Sequence, residues 1–138
     1  MAVKKFTPMT GNRFLLDTNI VSAWLKGEAI IANNIDKADA IYIPIIVIGE
    51  LYYGASFSVQ IQKNTENIKR VTQRYPVLSI DEETTISYGN IKANLRKKGK
   101  PIPENDIWIA AIALTHHIPL VTRDKHFTEI EDILLEEW

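Results

Sequence analysis

Short apolar and β-branched runs alternate with stretches of helical periodicity along almost the whole chain, and this alternation limits the fold more than any other feature. Arg13–Leu16 stops at Asp17 and reads as a buried strand. Thr18 or Asn19 is expected to cap a helix over Ile20–Leu25 that ends near Gly27, and Glu28–Asp36 reads as a second short helix. Ile41–Ile43, bounded by Pro44, is the next strand, and a helix follows from Ile46 through Ser58. Ile61, Ile68, Val71 and Tyr75 keep helical spacing. Val77–Ile80 is a third strand, and behind Asp81 comes a helix with Thr84, Tyr88, Ile91 and Leu95 on one face and Gly99 at its stop. Pro101 and Pro103 lead into an apolar helix over Asn105–His116. Leu120–Thr122 is a fourth strand, Asp124–Phe127 a turn, and Ile133–Leu135 a fifth strand. Strands separated by helices point to a parallel sheet covered on both faces. In such sheets ligands bind beyond the carboxyl ends of the strands, so the residues just after each strand matter most.

A chain of 138 residues makes one domain, with residues 1–12 expected as a loose arm and 13–138 as the folded body. Met9 is an alternative start. The absence of cysteine removes disulfides, thiolate nucleophiles and cysteine zinc sites, and fits a reducing cytoplasm. The longest apolar runs, Ile41–Ile48 and Ile107–Leu114, fall far short of the ~18 residues of a membrane span. No leader with an apolar core follows the basic N-terminus. A net charge of −1 gives no global attraction to nucleic acid, which moves the question to local charge.

Four acids occupy the junctions where an alternating chain gathers its chemistry. Asp17 and Asp124 follow strands; taken singly they read as a helix cap and a turn residue. Glu50 is the only charge between Asp39 and Lys63. Its neighbours one turn away are Ile46, Val47, Tyr53 and Gly54, an unfavourable setting for a carboxylate without a partner. Asp106 opens a helix that is apolar all round, so that helix's N-terminus lies in the interior or a crevice. Carboxylates gathered in one place repel one another unless a cation neutralises them. Oxygen donors without nitrogen or sulfur suit Mg²⁺ or Mn²⁺ rather than zinc, and such ions hydrolyse phosphodiesters.

Phe14-Leu15-Leu16-Asp17-Thr18-Asn19 resembles the opening motif of PIN-domain ribonucleases. The resemblance continues in Ile48-Gly49-Glu50-Leu51-Tyr52-Tyr53-Gly54, Asn105-Asp106-Ile107-Trp108-Ile109-Ala110-Ala111 and Val121-Thr122-Arg123-Asp124-Lys125-His126-Phe127, in order, from about residue 13 to 135. Within the family the chain is most similar to VapC-type toxins of toxin–antitoxin pairs. The resemblance implies a three-layer α/β/α sandwich with a mostly parallel central sheet of four to five strands. It implies Asp17, Glu50, Asp106 and Asp124 as catalytic, metal-holding acids for Mg²⁺ or Mn²⁺, with Thr18, Asn19, Asn105 and Thr122 as supporting polar groups. His126 stands where polar identity varies and is not assigned to catalysis. Further implications are RNA as substrate, a small antitoxin as partner, and a homodimer with Trp24 and Tyr52-Tyr53 as apolar contacts.

Lys92 to Lys100 carries five basic residues and no acid. As a helix end it favours the dipole; as a phosphate patch, Arg96, Lys97, Lys98 and Lys100 would hold RNA, with Arg123 and Lys125 beside Asp124. His116-His117 reads as a helix-end cap, since adjacent positions do not face one site. The rival function is a non-catalytic module that binds RNA or protein, against which all four acids weigh. A haloacid-dehalogenase-type phosphotransferase wants a second Asp two residues after Asp17, where Asn19 stands.

Overall fold

The structure is a computed structural model that describes residues 12–138. The expected arm therefore lies outside the described residues, except Asn12, whose N–H donates to Asp39 Oδ2 at 2.7 Å. The elements are β1 (Arg13–Leu16), α1 (Thr18–Leu25), α2 (Ala29–Lys37), β2 (Ala40–Pro44), α3 (Ile45–Ser56), α4 (Ile61–Arg74), β3 (Val77–Leu78), α5 (Glu82–Lys98), α6 (Glu104–His116), β4 (Leu120–Val121) and β5 (Leu135–Glu136). A 3₁₀ turn over Lys125–Glu129 follows β4.

The strands form one parallel sheet in the order β3-β2-β1-β4-β5. From β1 the chain winds outward through β2 and β3, then returns to lay β4 and β5 on the other side. The carboxyl ends of β1 and β4 thus flank the point where the winding reverses, the crevice in which open α/β sheets bind ligands. Register fixes this closely: Leu16 stands opposite Val121, and Asp17 N–H donates to the Val121 carbonyl at 3.0 Å.

Leu15 and Leu16 are consecutive and both fully buried, as are Leu120 and Val121. Side chains alternate between sheet faces, so both faces are covered, which is the α/β/α layering expected of a parallel sheet. Ile20, Ile31, Ile43, Ile109, Ile112, Phe127 and Ile133 complete the core. The helix α6 shows why its apolar circumference matters: Ile107 and Ile109–Ala113 are all buried.

Several boundaries differ from expectation for local reasons. The cap of α1 is Asp17, not Thr18 or Asn19, because the helix begins one residue earlier. Asp17 keeps an extended backbone, its carbonyl accepts from Ile20 and Val21, and its side chain accepts from Thr18 N–H. In α4 the apolar stripe is shorter than its spacing suggests: Ile68 and Val71 are buried but Ile61 is exposed. The last strand is Leu135–Glu136 rather than Ile133–Leu135, because Leu135 and Glu136 pair with Leu120 and Val121 while Ile133 packs into the core. Elsewhere the capping signals hold. Asp81 and Thr84 form a reciprocal capping box, and Gly99 ends α5 with φ 66°. His117 ends α6 in the left-handed region, with His116 in the last turn, as a helix-end pair.

Candidate active site

Asp17 is the centre of the site and only 4% exposed. Its position just past β1 puts its carboxylate at the reversal of the sheet. Oδ1 accepts from Thr18 N–H at 2.8 Å. Oδ2 accepts from the Thr122 hydroxyl at 2.7 Å and from the Asn19 amide at 3.2 Å. Thr122 follows β4 and is fully buried. Its oxygen also accepts from Asp124 N–H at 3.0 Å, so one hydroxyl ties the end of β1 to the loop that carries the fourth acid. Asn19 adds a second tie, its Oδ1 accepting from Arg123 N–H at 3.2 Å.

Glu50 reaches the same place from α3. Its half-buried carboxylate accepts from the Thr18 hydroxyl at 2.8 Å, the polar partner its own helix does not supply. Asp106 sits in the first turn of α6, and Asp124 caps the 3₁₀ turn by accepting from His126 N–H at 2.9 Å. The His126 ring bridges these two acids: Nδ1 lies 3.3 Å from Asp106 Oδ2 and 3.1 Å from Asp124 Oδ1.

Burial and neighbouring charge both bear on the acids. Burial raises the Asp17 carboxyl above its ordinary value; hydrogen bonds from Thr122 and Thr18 oppose this, and Glu50 and Asp124 add to it. Asp106 is pushed up to about 6, first by burial, then by the charges of Asp17 and Asp124, with His126 pulling the other way. Among the described residues no lysine or arginine pairs with any of the four acids. A concentration of negative charge held without a lysine or arginine partner is chemically suited to a divalent cation. One oxygen each from Asp106 and Asp124 and one nitrogen of His126 lie within 4.8 Å of one another, close enough to share an ion. The donor set therefore fits a metal. The His126 imidazole stands beside these carboxylates.

The supporting residues divide. Thr18, Asn19 and Thr122 all bond to the acids, whereas Asn105 is exposed and its side chain makes no hydrogen bond among the described residues. Arg123 is paired within the chain: its guanidinium grips Glu28 through two bonds of 3.1 and 3.2 Å, and its Nε donates to the Trp138 carbonyl. Lys98 is held by Glu129, and Lys92 by Glu104. Arg96, Lys97, Lys100 and Lys125 are exposed.

A groove of about 450 Å³ opens beside Thr18 and Glu50 between α1, α3 and α4, with Leu25, Leu51, Ala55 and Ile68 among its apolar walls. Trp24 is half-buried and packs edge-on against Tyr75, while Tyr53 is exposed and packs against exposed Phe57.

Comparison with known proteins matches this arrangement. Residues 14–133 match the PIN domain family. Ribonuclease VapC1 of Haemophilus influenzae (strain R2866) is 33% identical over 130 residues, covering 91% of this chain and 97% of the relative. The tRNA(fMet)-specific endonuclease VapC of Salmonella typhimurium is 32% identical over 129 residues, covering 91% and 98%. The crystal structure of VapBC2 from Rickettsia felis bound to a promoter DNA fragment superposes with a TM-score of 0.85 at 33% identity, over 91% of this chain and 98% of that one. With the family match spanning most of the chain and the fold shared with a VapBC structure, the chain belongs to the PIN-domain family, in its VapC ribonuclease group.

Proposed function

We propose that this protein is a divalent-metal-dependent endoribonuclease and the toxin of a toxin–antitoxin pair. The observation that carries this reading is the convergence of Asp17, Glu50, Asp106 and Asp124 on one crevice with no lysine or arginine paired to them. Asp17, Asp106 and Asp124 are the residues that would hold Mg²⁺ or Mn²⁺, with Glu50 alongside. A metal there supplies a water of lowered pKa and stabilises charge on the phosphate. The chain's own contribution is orientation. Thr122 fixes Asp17 and the Asp124 backbone together, and Thr18 fixes Glu50 against α1. Arg96, Lys97 and Lys100, exposed at the end of α5, provide phosphate attraction that compensates the acidic crevice.

The antitoxin is proposed to lay an amphipathic segment in the groove between α1, α3 and α4, with a guanidinium turned toward Glu50 and its neighbours. The exposed Tyr53–Phe57 pair at the C-terminal end of α3 supports a homodimer face better than Trp24, whose ring is occupied by Tyr75. Among the described residues no helix is long and apolar enough to cross a membrane, and a cytoplasmic compartment suits an RNA substrate. The name of the Salmonella relative makes tRNA(fMet) the first substrate to assay. The purified protein is expected to cleave RNA with Mg²⁺ or Mn²⁺, to stop with a chelator, and to arrest growth unless a cognate antitoxin is co-expressed. RNA cleavage that persists at full rate in excess chelator refutes the metal reading; healthy growth at high soluble expression refutes the toxin reading.

A further inference from the structure

His126 stands against two of the four acids, yet the metal site proposed above is built from carboxylates alone. The geometry points to more. We propose that His126 Nδ1 is a direct ligand of the metal shared by Asp106 and Asp124, and that this nitrogen biases the site toward Mn²⁺ over Mg²⁺. The inference rests on the metal-dependent reading above and adds a ligand to it.

His126 is not placed by burial of its own ring, whose side chain is 52% exposed. The backbone on either side places it. Its N–H is bound to Asp124 Oδ1, and the next residue, Phe127, is fully buried and anchors the 3₁₀ turn. That turn aims Nδ1 at two carboxylates from different elements, 3.3 Å from Asp106 Oδ2 and 3.1 Å from Asp124 Oδ1. Neighbouring donors around an octahedral ion with bonds of about 2.1 Å lie about 3.0 Å apart, close to both separations. A ring nitrogen carries at most one proton, so it donates one hydrogen bond well and cannot serve both carboxylates equally. An ion serves all three donors at once. Imidazole is a softer donor than carboxylate or water, and Mg²⁺ gains least from it among the divalent ions in question.

The two other histidines cannot supply the same nitrogen. His116 lies ten residues along α6 from Asp106, roughly 15 Å at the helical rise, and His117 follows it.

The test uses the full chain, stripped of metal and titrated with Mn²⁺ or Mg²⁺ alone. Electron spin-echo envelope modulation of bound Mn²⁺ reads ¹⁴N coupling directly. Wild type is expected to show imidazole ¹⁴N modulation that is lost in both His126→Ala and His126→Gln, with folding verified by circular dichroism. Even partners outside the ligand shell change metal affinity roughly 10–100-fold, so Mn²⁺ affinity is expected to fall at least about tenfold. Mg²⁺ affinity is expected to fall by less than about threefold, since a water replaces the nitrogen at little cost to a hard ion. Mn²⁺ bound by wild type without ¹⁴N modulation, or modulation that survives both substitutions, overturns the His126 assignment and leaves the metal-dependent reading intact. Wild type that binds no Mn²⁺ at millimolar concentration overturns both.

Discussion

Replacing Asp106 with asparagine should destroy activity and strengthen the metal-free fold, and the opposed signs make the substitution informative. Asp106 is only 13% exposed at its side chain and its carboxyl is pushed up to about 6 from the ordinary 3.8. At about 1.4 kcal/mol per tenfold in proton affinity, keeping it ionised in the fold costs about 3 kcal/mol. Asn keeps the volume and removes the charge, but gives up the charged partner of His126, so the net gain near neutrality is about 1–2 kcal/mol. The sign with pH follows from linkage. A carboxyl raised by folding holds its proton more tightly in the folded state. The stability it contributes is present below the unfolded value near 4 and is lost as pH rises through about 6. Metal-free wild type should therefore weaken between about pH 4 and about pH 7, while Asp106→Asn shows a flatter profile across that window. Urea unfolding in chelator, at several pH values, measures both. With Mn²⁺ present the order reverses: a ligand at 100 times its Kd stabilises wild type by about 2.7 kcal/mol, and the variant gains little. A variant less stable than wild type in chelator at about pH 8, or one with the same pH slope, would refute the view that Asp106 is a destabilising buried charge.

The remaining expectations concern the other parts of the site. Asp17→Asn should abolish RNA cleavage while circular dichroism and gel filtration stay unchanged; cleavage at wild-type rate with saturating Mg²⁺ would remove Asp17 from the chemistry. Thr122→Val keeps the shape of a fully buried side chain but withdraws the donor to Asp17. It should cost about 1.5–3 kcal/mol by urea unfolding, and a loss under about 0.5 would show that Thr122 does not hold the carboxylate. Arg96→Ala/Lys97→Ala/Lys98→Ala should weaken RNA binding and flatten its dependence on salt while leaving Mn²⁺ affinity unchanged, because phosphate contacts set that slope. An unaltered slope would return the end of α5 to a solvated helix terminus.

The parts of this molecule legible in the sequence are those governed by neighbours along the chain. Leu15-Leu16 and Leu120-Val121 are runs apolar on both faces, which only a covered parallel sheet accommodates, so β1 and β4 could be placed together with the acids after them. Asp81, Thr84 and Gly99 carry their capping chemistry within a turn of themselves. The contacts that assemble the site are not local. Thr18 meets Glu50 across 32 positions, and Thr122 meets Asp17 across 105. Arg123 had the composition of a phosphate ligand, and nothing near it announced Glu28, 95 positions away. His126 is illegible for the same reason. Its spacing from Asp124 shows a turn, but its reach to Asp106 exists only once α6 and the end of β4 are side by side.

That distance dependence also explains how the chain tolerates its own site. Burial of carboxylates, and then their neighbours' charge, opposes folding, and the raised Asp17 and Asp106 record the opposition. What offsets it, apart from His126 beside Asp106 and Asp124, is not countercharge but backbone and hydroxyl geometry. The Thr122 hydroxyl donates to one acid while accepting from the backbone of another, and Asn19 binds both ends of the same junction. A lysine or arginine in that position would neutralise the charge and stabilise the fold more strongly, but it would occupy the place of the cation. Hydrogen bonds from neutral groups hold the oxygens in position and leave most of their charge available. The cost is expected as a pH-dependent weakness of the metal-free protein. The same uncompensated charge is what gives a divalent ion, or a partner's guanidinium, something to bind.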